Sequence, residues 1–223
     1  MIRRTLARLL TLLFRRLCGE MSVAEQWERL AIAPALNAFG PGSQNEFSWY
    51  FDGESTVAVS RIEDIHAWLA TCTYADDVTL FRERDFWQHP VTFERGHAGD
   101  CEDFALWAWR KLVELGYDAD FIIGYLTAGS NTAARHAWIV FRRDGAEYLY
   151  EPVLKDFVAA VQPLSTAMAK YTPEYGVGPN LVRHTYRGRL SVMLRAEAVK
   201  SPAVARAATS HLTPVAADKA ADV

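Results

Sequence analysis

GHAGDCEDFALWAWRKL, residues 96–112, decides how the rest of the chain is read. Asp100 is a residue type that caps helix starts, which puts Cys101 at the first helical position. The apolar run continues to Leu115, and Gly116 supplies the stop. At a helix start the unsatisfied backbone N–H groups and the positive dipole end favour a thiolate, the reactive form of cysteine. Glu102 and Asp103 oppose that effect, so position alone does not make the thiol acidic. It needs a base.

The base is expected from a hairpin further on. RHAWIVF (135–141) and AEYLYEPV (146–153) flank RRDG (142–145), and Asp-Gly is a strong two-residue turn signal. With that turn Arg143 faces Ala146 and Trp138 faces Glu151, leaving His136 diagonal to Glu151 on the same face. A four-residue turn sets His136 directly opposite Glu151, and a three-residue turn separates them. A carboxylate beside a histidine fixes its tautomer and strengthens it as a base. Cys101, His136 and Glu151 therefore form a candidate nucleophile, base and orienting acid. Each has a bland reading too: a packed small residue, a satisfied core histidine, a solvated strand-end glutamate. Their combination raises the functional reading.

FWQHPVTFERGHAGDCEDFALWAWRKLVELGY followed by RHAWIVF resembles the transglutaminase-like superfamily, and within it the bacterial transglutaminase-like cysteine proteinases. The similarity runs over about residues 45–155, with GDCED its most specific part. It implies a papain-like α+β fold, with the cysteine helix packed on an antiparallel sheet. It also implies Cys101 as nucleophile, His136 as base and Glu151 as third member. The family's third member is usually aspartate, which makes Asp144 a weak rival, disfavoured by its place in the tight turn. Gln88 and Trp87, in the segment before the helix, are candidate oxyanion or substrate-positioning donors beside the Cys101 backbone N–H.

Around this core, STVAVS (55–60) reads as a short strand. Ser60 with Glu63 reads as a capping box opening a helix through 61–72, where His66 has no assigned chemistry and Cys72 reads as packing. Residues 76–99 read as irregular, 118–126 as a strand, 127–134 as a loop, and 171–190 as loop with a final strand. The domain is expected at 43–195, after an N-terminal segment and linker (1–42) and before a disordered alanine-rich tail (196–223).

The chain has 223 residues, half of them hydrophobic, a net charge of −3 and three cysteines. That is enough for one well-packed core. The charge gives no case for nucleic acid, and an odd, scattered cysteine count suits a reducing, cytoplasmic setting. Residues 1–20 hold five arginines, with leucines at helical spacing. They read as a basic amphipathic helix able to touch a membrane surface, or as sequence preceding a true start at Met21. The apolar stretch within them is too short to span a bilayer. No CxxC, HExxH or glycine-rich phosphate loop occurs.

The resulting expectation is a cysteine-dependent amide hydrolase acting on a protein or peptide through a thioester, with no metal or cofactor. Acyl transfer to an amine, an arylamine-type acetyltransferase and a catalytically silent protein-binding module are the alternatives.

Overall fold

The computed structural model describes residues 28–128 and 132–187. The basic segment expected at 1–20 and the tail expected from 196 lie outside the described residues. Elements follow in the order β1 (Glu28–Leu30), α1 (Ile62–Leu69), β2 (Thr73–Tyr74), α2 (Asp77–Phe81), α3 (Pro90–Gly96), β3 (Ala98–Gly99), α4 (Cys101–Glu114), β4 (Asp118–Ala128) and β5 (Thr132–Arg143). Then come β6 (Ala146–Tyr150), α5 (Phe157–Ala160), β7 (Val161–Pro163), α6 (Leu164–Ala167), β8 (Tyr171–Val177) and β9 (Arg183–Arg187). Two 3-10 turns, Leu36–Ala38 and Phe47–Phe51, precede α1. This is an α+β domain. Seven strands pair antiparallel in the order β1-β9-β8-β4-β5-β6-β7, and β2 and β3 form a separate parallel pair.

The helix α4 lies against one face of this sheet. Phe104, Trp107, Trp109 and Leu112 share a core with Phe121, Ile123, Ala137, Ile139 and Phe141, the alternate residues of β4 and β5. The opposite alternation puts Ile122, Trp138, Val140 and Leu149 in a second, smaller core on the far face. The helix is also covered from its outer side, where Trp107 stacks on Trp68 with centroids 4.1 Å apart. A helix enclosed on both sides must bury its polar residues, and here they are spent on backbone. Arg110 donates to the carbonyls of Tyr50, Asp52 and Gly53, and Lys111 to Ser55 and the carbonyl of Val57.

That arrangement explains why the strand expected at 55–60 does not form. Lys111 takes the Val57 carbonyl, and Glu94 takes the Thr56 N–H at 2.9 Å, so the backbone of 55–57 is anchored to side chains rather than to a ladder. The helix expected through 61–72 is shorter, and its cap is shifted. Ser60 bonds Asp64, not Glu63, and no side chain caps Arg61, the helix's actual N-cap. Residues 76–99 are not irregular throughout but carry α2 and α3, each opened by a side-chain cap, Asp76 and His89.

The hairpin forms as the Asp-Gly signal requires. Arg143 pairs with Ala146, and Asp144 and Gly145 take φ of 53° and 75°, the two positive angles of a type I′ turn. Of the loop expected at 127–134, residues 127–128 belong to β4 and 132–134 to β5. Among the strands not foreseen are β1 and β8. β1 comes from the segment expected to be linker: it pairs with β9 through Arg29↔Tyr186, and nearby Phe39 is fully buried. β8 falls in the stretch expected to be mostly loop, because Pro173 argues against a strand interior.

Pro173 is tolerated because the β4–β8 register shifts between Ile123 and Gly124, at the point where Pro173 pairs. Gly124 is compulsory at this bulge: a Cβ there would lie 2.1 Å from the Thr172 carbonyl oxygen and 2.6 Å from the Trp138 ring. Gly124→Ala is therefore expected to cost about 3 kcal/mol or more and lower the thermal midpoint by roughly 10 °C. An unchanged midpoint would show that the β8 backbone moves away freely.

Candidate functional site

Each residue of GDCED has a structural reason to be there. Asp100 accepts from the Glu102 N–H at 3.2 Å, and Asp103 returns the favour to the Asp100 N–H, completing a capping box. The same Asp103 carboxylate accepts from the Gln88 backbone at 2.8 Å and from its side chain at 2.5 Å. Gly99 leaves room for this: a Cβ there would stand 2.3 Å from an Asp103 oxygen. The helix start and the segment before it are thus one hydrogen-bonded unit. Burial pushes the Asp103 carboxyl up to about 7, and the Gln88 donors offset part of that cost.

Cys101 sits at this helix start, only 7% exposed. The Ala137 backbone N–H is near enough to the sulfur to favour the thiolate, which sets Cys101 close to β5 at the residue after His136. Burial, then the charges of Glu102 and Asp100, outweigh this and raise the thiol well above its ordinary range. In keeping with that, the thiol donates to Glu102 Oε2 at 2.8 Å. The expected opposition to the helix dipole is real, and it comes from Asp100 and Glu102, while Asp103 is turned toward Gln88.

His136 and Glu151 meet. Nε2 of His136 lies 2.6 Å from Glu151 Oε2, across the hairpin and beyond the last ladder pair, Ile139↔Tyr150. An ionised carboxylate only accepts, so in the neutral imidazole Nε2 would carry the hydrogen and Nδ1 the lone pair. Tyr171 donates to the same Glu151 oxygen at 3.0 Å, and Trp138 stacks along the imidazole, with the planes 24° apart. Gly124 is the β4 residue opposite His136. Neither Tyr171 nor Gly124 carries a local sequence signal for this role; both come from pairings with β4. Asp144 stays in the turn.

Gln88 and Trp87 do not have the geometry expected of oxyanion donors. The Gln88 side-chain nitrogen is committed to Ala98 O, at 2.9 Å, and to Asp103. Trp87 is buried among Phe47, Tyr50 and Phe121. Both brace the pre-helix segment. The Cys101 N–H remains the donor that its place at the helix start provides.

Two overlapping groups could hold a cation: Asp100, Cys101 and Glu102, and Asp77, Asp100 and Asp103. Asp77 was not anticipated. It is 3% exposed; Oδ2 accepts from the Phe86 N–H at 2.6 Å, and buried Oδ1 has no partner among the described residues. Burial pushes Asp77 up to about 6, and burial with the charges of Glu102 and Asp103 raises Asp100 far more.

Fold and site together define an α+β domain that presents a buried cysteine at a helix start and a histidine–glutamate pair on the adjoining sheet. No protein-family model matches the chain, and no curated protein matches it in sequence. Among solved structures it is similar to calcium-bound LapG of Legionella pneumophila at 21% identity and a TM-score of 0.40, covering 52% of this chain and 62% of that one. EGTA-treated LapG gives the same identity and score, with 60% of that chain covered. A proposed cysteine protease from Cytophaga hutchinsonii is 11% identical with a TM-score of 0.35, covering 70% of this chain and 61% of that one. The matches thus span less than two thirds of each neighbour, and likeness at this level carries no residue role across. Among the described residues no helix is long and apolar enough to cross a membrane.

Proposed function

We propose that the chain is a transglutaminase-like cysteine hydrolase that cleaves amide bonds of a protein or peptide through a thioester. The observation that carries this reading is the His136–Glu151 bond, which leaves Nδ1 as the basic nitrogen on the strand whose next residue, Ala137, lies near the Cys101 sulfur. His136 Nδ1 takes the thiol proton as the sulfur attacks the carbonyl carbon. The C–S bond forms, and the carbonyl π electrons move to oxygen. Those electrons return as the C–N bond breaks, and the amine leaves with the proton from His136. Water, deprotonated by His136, then hydrolyses the thioester and regenerates the thiol. Glu151, held by Tyr171, keeps the ring oriented and stabilises its charged form. Water rather than an amine is the proposed acceptor because no amine-binding group is evident in the sequence. The test is turnover of p-nitrophenyl acetate with stoichiometric alkylation at Cys101. Alkylation with no turnover would favour a silent binding module, the reading to which the thiol–Glu102 bond also lends support.

The carboxylates beside the thiol fit a hard divalent cation, because Asp77 keeps an unpartnered buried oxygen within ligand reach of Asp100 and Asp103. Asp77, Asp100 and Asp103 form one group that would hold it, and Asp100, Cys101 and Glu102 the other. Such an ion would supply positive charge against the acids that keep the thiol protonated. The sign follows from the causes: neutralising Glu102 or Asp100 lowers the thiol pKa, so alkylation by iodoacetamide at pH 7 rises, about tenfold per unit. Glu102→Gln in EGTA should give a similar rise without added ion. Rates indifferent to calcium, to EGTA and to Glu102→Gln would show that these carboxylates do not govern the thiol.

A further inference from the structure

With the Gln88 side chain committed to Ala98 and Asp103 and Trp87 buried in the core, the separate two-strand ladder offers a candidate side-chain donor for the reacting carbonyl. β2 runs parallel to β3 with Tyr74 directly opposite Gly99, two residues before Cys101. The ladder is tied at both ends, by Thr73 N–H to His97 O at 2.8 Å and by Ala75 N–H to Gly99 O at 2.9 Å. The position of Tyr74 relative to the helix start is therefore fixed by backbone. Its ring leans on Phe104, one turn along α4 from the cysteine, with centroids 6.3 Å apart. In spite of that contact Tyr74 is 52% exposed, and among the described residues Phe86 is the other exposed large aromatic. Its hydroxyl makes no hydrogen bond recorded among the described residues.

We propose that the Tyr74 phenol is a catalytic residue that donates a hydrogen bond to the oxyanion formed on the substrate carbonyl, opposite the donor N–H of Cys101. The proposal rests on the reading of Cys101 as the nucleophile of an acyl transfer. Desolvation, with the nearby charges of Cys101, Asp100, Glu102 and Glu151, raises the phenol above its ordinary range, so it stays a donor at every pH at which the site works. The pairing with Gly99 and the contact with Phe104 set the ring beside the helix that begins at Cys101. A hydroxyl without a ground-state partner is free to engage when charge appears on the carbonyl oxygen, which is when a donor accelerates the reaction.

Two reagents separate this role from any effect on the thiol. Iodoacetamide needs only the thiolate, while p-nitrophenyl acetate also needs its carbonyl activated. Tyr74→Phe keeps the ring contact with Phe104 and removes only the donor. It is expected to lower p-nitrophenyl acetate kcat/KM by about ten- to a hundredfold. The iodoacetamide rate at Cys101 should stay within about twofold, below the scale of a one-unit shift in thiol pKa. Ester turnover within about twofold of the parent protein would show the hydroxyl to be idle. An equal fall with both reagents would show that Tyr74 acts on the thiol, and it too would overturn the proposal. Parent protein inert toward both reagents would instead sink the hydrolase reading itself, and this one with it.

Discussion

Cys101→Ala is expected to abolish ester turnover, by about 10⁴-fold or more, and to remove the covalent label, with a change in thermal midpoint of only a few degrees. The contrast with Cys72 gives the reason. Both thiols are buried, and burial raises both above the ordinary range, Cys72 to about 11. They differ in what surrounds the sulfur. Cys72 follows the C-terminal end of α1 and points its sulfur at the Trp68 carbonyl, 3.8 Å away, where a thiolate would meet negative partial charge. Cys101 opens α4 at the positive end, with the Ala137 backbone near enough to favour its thiolate. Thr71 and Lys155 partly offset burial at Cys72, as the Ala137 backbone does at Cys101, so the two differ in the helix end that each occupies. Peptide mapping after alkylation checks this. A label on Cys72, or on Cys18 outside the described residues, with none on Cys101, would overturn the nucleophile assignment.

His136→Ala is expected to lower turnover by about 10³- to 10⁴-fold, and Glu151→Gln by less, about 10²-fold. Losing the imidazole removes the proton acceptor. Changing the carboxylate to an amide keeps the shape, and the Tyr171 hydroxyl can still bond the amide oxygen. What disappears is the charge that fixes Nε2–H and stabilises the imidazolium. Circular dichroism and the thermal midpoint serve as the folding control, because Glu151 also bonds the Val153 N–H at 3.4 Å. Glu151→Gln with turnover equal to the parent protein would reduce the 2.6 Å bond to a structural contact.

The parts of the site legible in sequence were those with local causes. Asp100 as a cap, Cys101 at the helix start and the Asp144–Gly145 turn each follow from a few neighbouring residues. Because strand alternation has a period of two, the turn length alone carried His136 and Glu151 to the same face. What could not be read depends on distant partners. Tyr171 reaches Glu151 only because β8 pairs with β4, and that strand is hidden by a proline whose cost is removed by a bulge at Gly124. Asp77 and Tyr74 enter through α2 and the β2–β3 ladder, short elements without periodicity. Gln88 and Trp87 were the right residue types in the right segment. Whether a donor points at a substrate or at Asp103 is a matter of direction, and residue type does not encode direction.

The pairing of β1 with β9 has a consequence for how the chain comes into being. Its partners, Glu28 and Arg187, lie near opposite ends of the described sequence. A ribosome adding about 5–20 residues each second needs roughly 10–30 s to make the intervening chain. Until β9 emerges β1 has no partner, and Cys101, His136 and Glu151 are all made before it. The nascent chain thus carries its chemical groups before the sheet that positions them is closed, and its thiol meets the surrounding redox buffer before the Ala137 strand shelters it.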